Sequence, residues 1–139
     1  MVINDFKISR SIATAAISKN ERSILCQLKF GTLPLALETG RYQGLPIEKR
    51  QCKTCHEKDA VEDELHFMFV CKGLNEEREK NRHLLPENAA ATENIHESSQ
   101  TQLLHYLREM YEAEHLPNTA KFIYQLTMKR KEIIYNKNN

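Results

Sequence analysis

The sequence has no tryptophan and only four glycines and four prolines among its 139 residues. Sheets joined by tight turns normally need more of these turn-forming residues, so their scarcity favours helices. Long hydrophobic runs are also missing, and no stretch approaches the roughly 20 apolar residues of a transmembrane helix. These absences predict a mainly helical protein that does not span a membrane.

The amino terminus has no basic stretch followed by an apolar one, and so it does not resemble a secretory leader. This predicts an intracellular protein, nuclear or cytoplasmic. In such a reducing compartment, four cysteines are more often metal ligands or free thiols than disulfides. The length fits a single domain over 1–139. We divide it into N-terminal helices (1–47), a metal-binding segment (48–73) and C-terminal helices (74–139) with a polar loop near 87–98.

Hydrophobic periodicity and capping residues place the helices along the chain. Asn20 is the predicted cap of the second helix and Gly31 its end, while Pro34 and Pro117 are predicted to open the third and the last. An amphipathic helix over 102–114 is predicted to bury Leu103, Tyr106, Leu107, Met110 and Tyr111. The predicted helices are 4–18, 21–30, a short one from Pro34, 61–70, 74–84, 102–114 and one from Pro117 onward.

The net charge of +1 is unevenly distributed. Residues 1–58 carry ten Lys and Arg against five Asp and Glu, residues 59–116 carry five against thirteen, and residues 117–139 carry five against one. Basic ends around an acidic middle indicate either a patch for a polyanion or attraction between the parts of the fold. We favour attraction within the fold, because the whole-chain charge does not favour nucleic acid.

Four metal-ligand residues lie within twenty positions, in the pattern C-x2-C-x10-H-x4-C formed by Cys52, Cys55, His66 and Cys71. Two thiolates two residues apart can bind one ion in a tight turn, and a His and a Cys flanking a helix complete a tetrahedron. Zinc accepts three thiolates and one imidazole, and four protein ligands leave no position for water. The pattern therefore predicts one structural zinc ion rather than a catalytic one.

Other interpretations use the same residues. Cys52 to His56 also matches C-x-x-C-H, the haem attachment motif, but this would leave His66 and Cys71 without a role. A thioredoxin-like redox pair needs a βαβ setting that the sequence does not suggest. His56 is an alternative ligand, although adjacent ligands rarely reach one ion without strain. Cys26 lies on an apolar helix face and is predicted to be a buried thiol.

The segment from Arg50 to His56, followed by Val61 to Cys71, resembles the zinc-binding region at the C-terminal end of non-LTR retrotransposon reverse transcriptases. Residues 25–42 and 119–135 are similar to neighbouring parts of the same reading frames, and the likeness is strongest over 23–73. The resemblance implies that Cys52, Cys55, His66 and Cys71 are the ligands of a zinc knuckle-like site. The chain is too short for a polymerase and has no adjacent Asp–Asp pair.

The resemblance implies a nucleic-acid-binding accessory module, with RNA or DNA as its partner. Phosphate contacts would come from basic residues. Phe67, Phe69 or Tyr42 would stack on bases if exposed, although core packing is the commoner role of such aromatics. The predicted phosphate contacts are Lys49, Arg50, Lys53, Lys121, Lys129, Arg130 and Lys131.

A protein–protein interaction or scaffold domain with a purely structural zinc is the alternative, because acidic residues in the middle of the chain would repel phosphate. These residues are Glu62, Asp63, Glu64, Glu76, Glu77 and Glu79. An enzyme is not expected, since no nucleophile–base pair, phosphate-binding loop or open metal site is evident. No small-molecule substrate is predicted.

Overall fold

The computed structural model describes residues 17–55, 57 and 60–137, apart from the side chains of Leu37 and Lys137. In this part of the chain the regular structure is helical, as predicted, and the only β-type pairing is an isolated bridge between Gln51 and Val61. The α-helices are α1 (Lys19–Lys29), α2 (Ala36–Tyr42), α3 (Asn75–Lys80), α4 (Glu87–Ala91), α5 (Gln100–Met110) and α6 (Leu116–Lys137). The predicted helix over 4–18 lies almost wholly outside the described residues.

Helix α1 begins two residues earlier than predicted. Ser18, not Asn20, is its cap: the Ser18 hydroxyl accepts from the Glu21 N–H, and the Glu21 carboxylate accepts from the Ser18 N–H. This reciprocal pair satisfies two of the N–H groups that a helix start leaves unpaired. At the other end, Gly31 has a φ of 69°, the left-handed conformation that the predicted glycine stop requires.

Helix α2 begins at Ala36 rather than at Pro34, and Gly40 lies inside it. The start is set from outside the helix, because the Ala36 N–H donates to the distant Glu62 carboxylate at 2.6 Å. Gly40 is required for space, since a Cβ there would lie 2.5 Å from Cγ of Arg50. The Arg50 side chain therefore packs against α2 at Gly40 and holds the connector after α2 next to that helix.

Helices α5 and α6 supply much of the core. Ser99 caps α5, and all five residues of its predicted apolar stripe are buried. Pro117 stands in the first turn of α6, where its missing N–H leaves no hydrogen bond unmade. Helix α6 packs along α1 and buries Phe122. The Thr119 hydroxyl donates to the Met110 carbonyl at 2.6 Å and joins the two helices.

The segment 87–98, predicted as a polar loop, contains helix α4 and a 3-10 turn over Ile95–Glu97. Its small apolar residues anchor it, because Ala89 and Ile95 are buried. The Arg82 guanidinium holds the segment by donating to the Thr92 carbonyl at 2.8 Å and to the Ala90 carbonyl. Two buried apolar side chains and one arginine are enough to order a stretch that lacks large hydrophobic residues.

The predicted helix over 61–70 is also shorter, since Val61 pairs with Gln51 and helical structure starts only at Glu64. One continuous hydrophobic core runs from Ile24 to Leu126 and includes the metal-binding segment. Within the described residues, no helix is both long and apolar enough to cross a bilayer.

Candidate metal centre

The side chains of Cys52, Cys55, His66 and Cys71 converge on one point, as the spacing predicted. Their ligand atoms all lie within 4.8 Å of one another. The Sγ atoms of Cys52 and Cys71 are 3.7 Å apart, and Cys55 Sγ is 3.4 Å from His66 Nε2. Cys52, His66 and Cys71 are buried and Cys55 is half-buried, so the cluster belongs to the interior.

These separations fit a tetrahedral ion. Zinc–sulfur bonds of about 2.3 Å and zinc–nitrogen bonds of about 2.0 Å place two sulfurs about 3.8 Å apart and a sulfur and a nitrogen about 3.5 Å apart. The observed sulfur–sulfur distance of 3.7 Å and sulfur–nitrogen distance of 3.4 Å agree with these two values. With four protein ligands, such an ion would have no site for a substrate or an activated water.

A widened helical turn brings His66 and Cys71 to the same side. Residues His66–Val70 form a π-helix, and the Cys71 N–H donates to the His66 carbonyl at 2.7 Å. Five residues span about 1.4 turns of an ordinary α-helix, which would point the two side chains away from each other. A hydrogen bond from residue i+5 to residue i makes these five residues close to one turn, so both ligands face the cluster.

The other two ligands come from a hairpin-like turn. The Cys52 N–H donates to the Ala60 carbonyl at 2.8 Å, next to the Gln51–Val61 bridge. Gly73, which follows the fourth ligand, packs directly on this turn: a Cβ at Gly73 would lie 2.6 Å from the Thr54 carbonyl oxygen. Its φ is not in the left-handed region, so glycine is needed here for close approach.

The thiol groups of Cys52 and Cys71 lie within hydrogen-bonding distance of each other. The hydrogen bond from the Cys71 thiol lowers the pKa of Cys52, and the same bond raises the pKa of Cys71. Burial raises the pKa of Cys55. The Thr54 hydroxyl lies 3.0 Å from Cys52 Sγ and 2.9 Å from Cys71 Sγ. Binding of an ion by three thiolates would release the protons that the thiols carry, as is usual for such sites.

Arg78 supports the backbone on which Cys71 sits. Its side chain is 2 % exposed, and its guanidinium donates to the Met68 carbonyl at 2.9 Å and to the Cys71 carbonyl at 3.1 Å. A longer contact of 3.4 Å reaches Asn75 Oδ1. Burial lowers the pKa of Arg78 to about 10, which still leaves it a cation at neutral pH.

Glu62 joins three parts of the chain next to the cluster. It is fully buried and accepts two hydrogen bonds of 2.7 Å from the Arg130 guanidinium, besides the one from the Ala36 N–H. Its Oε2 also lies 3.7 Å from Cys52 Sγ. Glu62 therefore connects the start of α2, the middle of α6 and a metal ligand through one carboxylate.

The residues predicted to contact phosphate occupy different environments. Lys49, Lys53, Lys121 and Lys131 are exposed. Arg50 is half-buried over Gly40 and donates to the Leu45 carbonyl at 3.0 Å. Lys129 is half-buried and lies 3.6 Å from the Glu132 carboxylate. Arg130 is buried in the ion pair with Glu62, so its guanidinium faces the interior and is not available at the surface.

The aromatic residues predicted to stack on bases and the acidic residues predicted to repel phosphate are also partly buried and partly exposed. Phe67 and Phe69 are buried and pack in the core, as expected for such aromatics, whereas Tyr42 is 78 % exposed with the Arg41 guanidinium 5.1 Å above its ring. Glu62 and Glu64 are buried, so neither belongs to the acidic surface that the sequence suggested. His56, the alternative ligand, lies outside the described residues.

Sequence reasoning predicted the four residues that cluster but missed the residues that support them. Glu62 stands in an acidic stretch and Arg78 in a charged helix, so both have the local pattern of solvent-exposed residues. Nothing in the sequence around Gly73 indicated that another segment packs directly on it. Among these supporting residues, only Arg130 has a sequence pattern that indicates burial, because it falls on the same helical face as Ile123 and Thr127.

Comparisons of the chain with protein-family models, with curated proteins and with solved structures found no match.

Proposed function

We propose that this protein is a non-catalytic zinc-binding module that serves as an accessory nucleic-acid-binding domain, derived from the C-terminal tail of a non-LTR retrotransposon reverse transcriptase. The observation that carries the proposal is the convergence of Cys52, Cys55, His66 and Cys71. The sequence resemblance assigns the same four residues, independently of their positions in space. A closed four-ligand site has a structural role and leaves nothing for catalysis.

Zinc is the metal that the ligand set favours. Three cysteines and one histidine in a tetrahedral arrangement suit zinc, whereas magnesium and calcium take oxygen ligands. The turn at Cys52–Cys55 and the π-helix at His66–Val70 would hold the ion between two short backbone segments, an arrangement that resembles a zinc knuckle.

Native mass spectrometry of the full, reduced chain tests the metal assignment. We expect a mass increase that corresponds to one zinc ion, and its loss after incubation with a chelator. The Cys26→Ala variant is the control, because Cys26 lies outside the cluster, and it should retain one ion. A reduced, folded chain that binds no zinc when zinc is supplied would overturn the proposal.

Two groups of exposed cations support the nucleic-acid role. Lys49 and Lys53 flank the ligand turn, and Lys121 and Lys131 lie on α6. Exposed Tyr42, with Arg41 stacked on it, offers a ring for an unpaired base near the first group. Stacking on an aromatic ring needs a base that is not already in a duplex, so single strands are the favoured partner.

Binding of single-stranded and duplex oligonucleotides, titrated at several salt concentrations, tests this role. The double variant Lys49→Gln/Lys53→Gln should bind more weakly and lower the salt slope by about 0.7 per lost phosphate contact. Tyr42→Ala should cost about 1–3 kcal/mol on single strands only. Lys80→Gln is the control, since this exposed lysine lies 3.7 Å from Glu76 on the acidic helix α3. Equal binding by all variants would contradict the assignment.

A protein-interaction domain with a structural zinc remains the second candidate. The observation that favours it is the exposure of Tyr42, Leu45 and Ile47 within six residues. Aliphatic side chains contribute little to nucleic-acid binding but much to protein interfaces. If oligonucleotides do not bind at any salt concentration while the metal does, this second function becomes the better account.

A further inference from the structure

Arg78 is a buried cation whose hydrogen-bond partners are neutral. Its guanidinium contacts two backbone carbonyls and one amide oxygen, those of Met68, Cys71 and Asn75. Among the residues that the structure describes, no carboxylate forms an ion pair with it within 4 Å. The neighbouring Glu79 is exposed and lies 3.4 Å from Arg82. A charge removed from water without an ionic partner is strongly unfavourable, so buried charges are normally paired.

The candidate metal centre supplies the missing negative charge. One divalent ion with three thiolates and a neutral imidazole has a net charge of −1. Arg78 lies against the carbonyl of the ligand Cys71, and the two together would be neutral. Neutral thiols, a disulfide or a site with only two thiolates would leave Arg78 uncompensated.

We infer that Arg78 is the counter-ion of the metal centre and a positioning residue for Cys71, and that the native site is therefore a divalent ion bound by three thiolates. This inference rests on the proposed function, because it requires that a metal binds. It goes further by assigning the charge of the site and the residue that balances it. The two roles of Arg78, its charge and its donation to carbonyls, can be separated by substitution.

The test compares metal affinity and the spectrum of the cobalt(II)-loaded full chain. Arg78→Gln keeps an N–H donor but removes the charge, whereas Arg78→Lys keeps the charge but loses the planar fork. Arg82→Gln is the matched control, since Arg82 also donates to two backbone carbonyls but lies away from the ligands. Zinc affinity is measured by chelator competition, and the sulfur-to-cobalt charge-transfer band by absorption.

We expect Arg78→Gln to bind zinc about 10–100-fold more weakly, in the range of residues that support metal ligands. Its charge-transfer band should move to lower energy, because the thiolate electrons are no longer stabilised by a nearby cation. Arg78→Lys should keep the wild-type band, and Arg82→Gln should match wild type in both measurements. If Arg78→Gln does not fold, Arg78→Lys decides through both measurements. Wild-type band and affinity support the inference, because this variant keeps the charge without the planar fork; a weaker affinity with the band unchanged, or a shifted band, overturns it.

The counter-ion role is overturned if Arg78→Gln shows the affinity and band of Arg82→Gln. It is also overturned if Arg78→Gln and Arg78→Lys lose affinity equally with the band unchanged, since Arg78 would then act only through its carbonyl contacts. Both results differ from failure of the proposed function, in which the wild-type chain itself binds neither zinc nor cobalt.

Discussion

Replacing Cys71 by alanine is expected to abolish zinc binding and to leave the chain largely unfolded. Cys71 is fully buried and its thiol is one of four converging ligands. The binding free energy of structural zinc sites is about 10–16 kcal/mol, which is comparable to the 5–15 kcal/mol of total stability of a typical domain. Circular dichroism should show loss of most of the helical signal, and native mass spectrometry should show no bound ion.

Cys26→Ala is the matched control for this experiment. Cys26 is half-buried on α1 and lies outside the cluster, so its loss should cost only about 1 kcal/mol. A chelator should lower the melting temperature of this control as it does that of wild type, and should leave the Cys71→Ala signal unchanged. A Cys71→Ala chain that stays helical and melts like Cys26→Ala would mean that the fold does not depend on the metal centre.

Replacing Arg130 by methionine is expected to lower the free energy of unfolding by about 3–5 kcal/mol. The change leaves the fully buried Glu62 carboxylate without its two guanidinium hydrogen bonds. Glu62 also binds the first N–H of α2, so the loss reaches both the N-terminal half and α6. Denaturant unfolding at a fixed excess of zinc measures the change.

The double variant Glu62→Gln/Arg130→Met should recover part of this stability. It removes both charges while keeping an oxygen that can accept from the Ala36 N–H, and a buried ion pair replaced as a whole often costs little. Lys129→Met, on the neighbouring position of α6, is the control and should cost less than 1 kcal/mol, because Lys129 forms a surface pair with Glu132. An Arg130→Met variant as stable as this control would contradict the importance of the pair.

The cluster of candidate metal ligands and the main helical stripes could be predicted from sequence because their signals are local. The ligand spacing uses residues within twenty positions, and the buried face of α5 follows the helical period from Leu103 to Tyr111. Both patterns depend on the geometry of a single turn or a single helix. No distant contact is needed to recognise them.

The supporting residues could not be predicted because their roles depend on distant contacts. Arg130 was assigned to the nucleic-acid surface as part of a basic run, yet it pairs with Glu62, 68 positions earlier. Helix α2 was expected to start at Pro34, but the same distant carboxylate binds Ala36 and sets the start there. Charged residues in a charged stretch give no sign of which one will be buried.

The unequal burial of the ligands has a consequence for the rate of metal exchange. Cys52, His66 and Cys71 are enclosed by the core, and Cys55 is the most accessible of the four. A competing chelator would meet the ion from the Cys55 side and displace that thiolate first. The three enclosed ligands would then determine how tightly the ion is held, whereas the accessibility of Cys55 would determine how quickly it leaves.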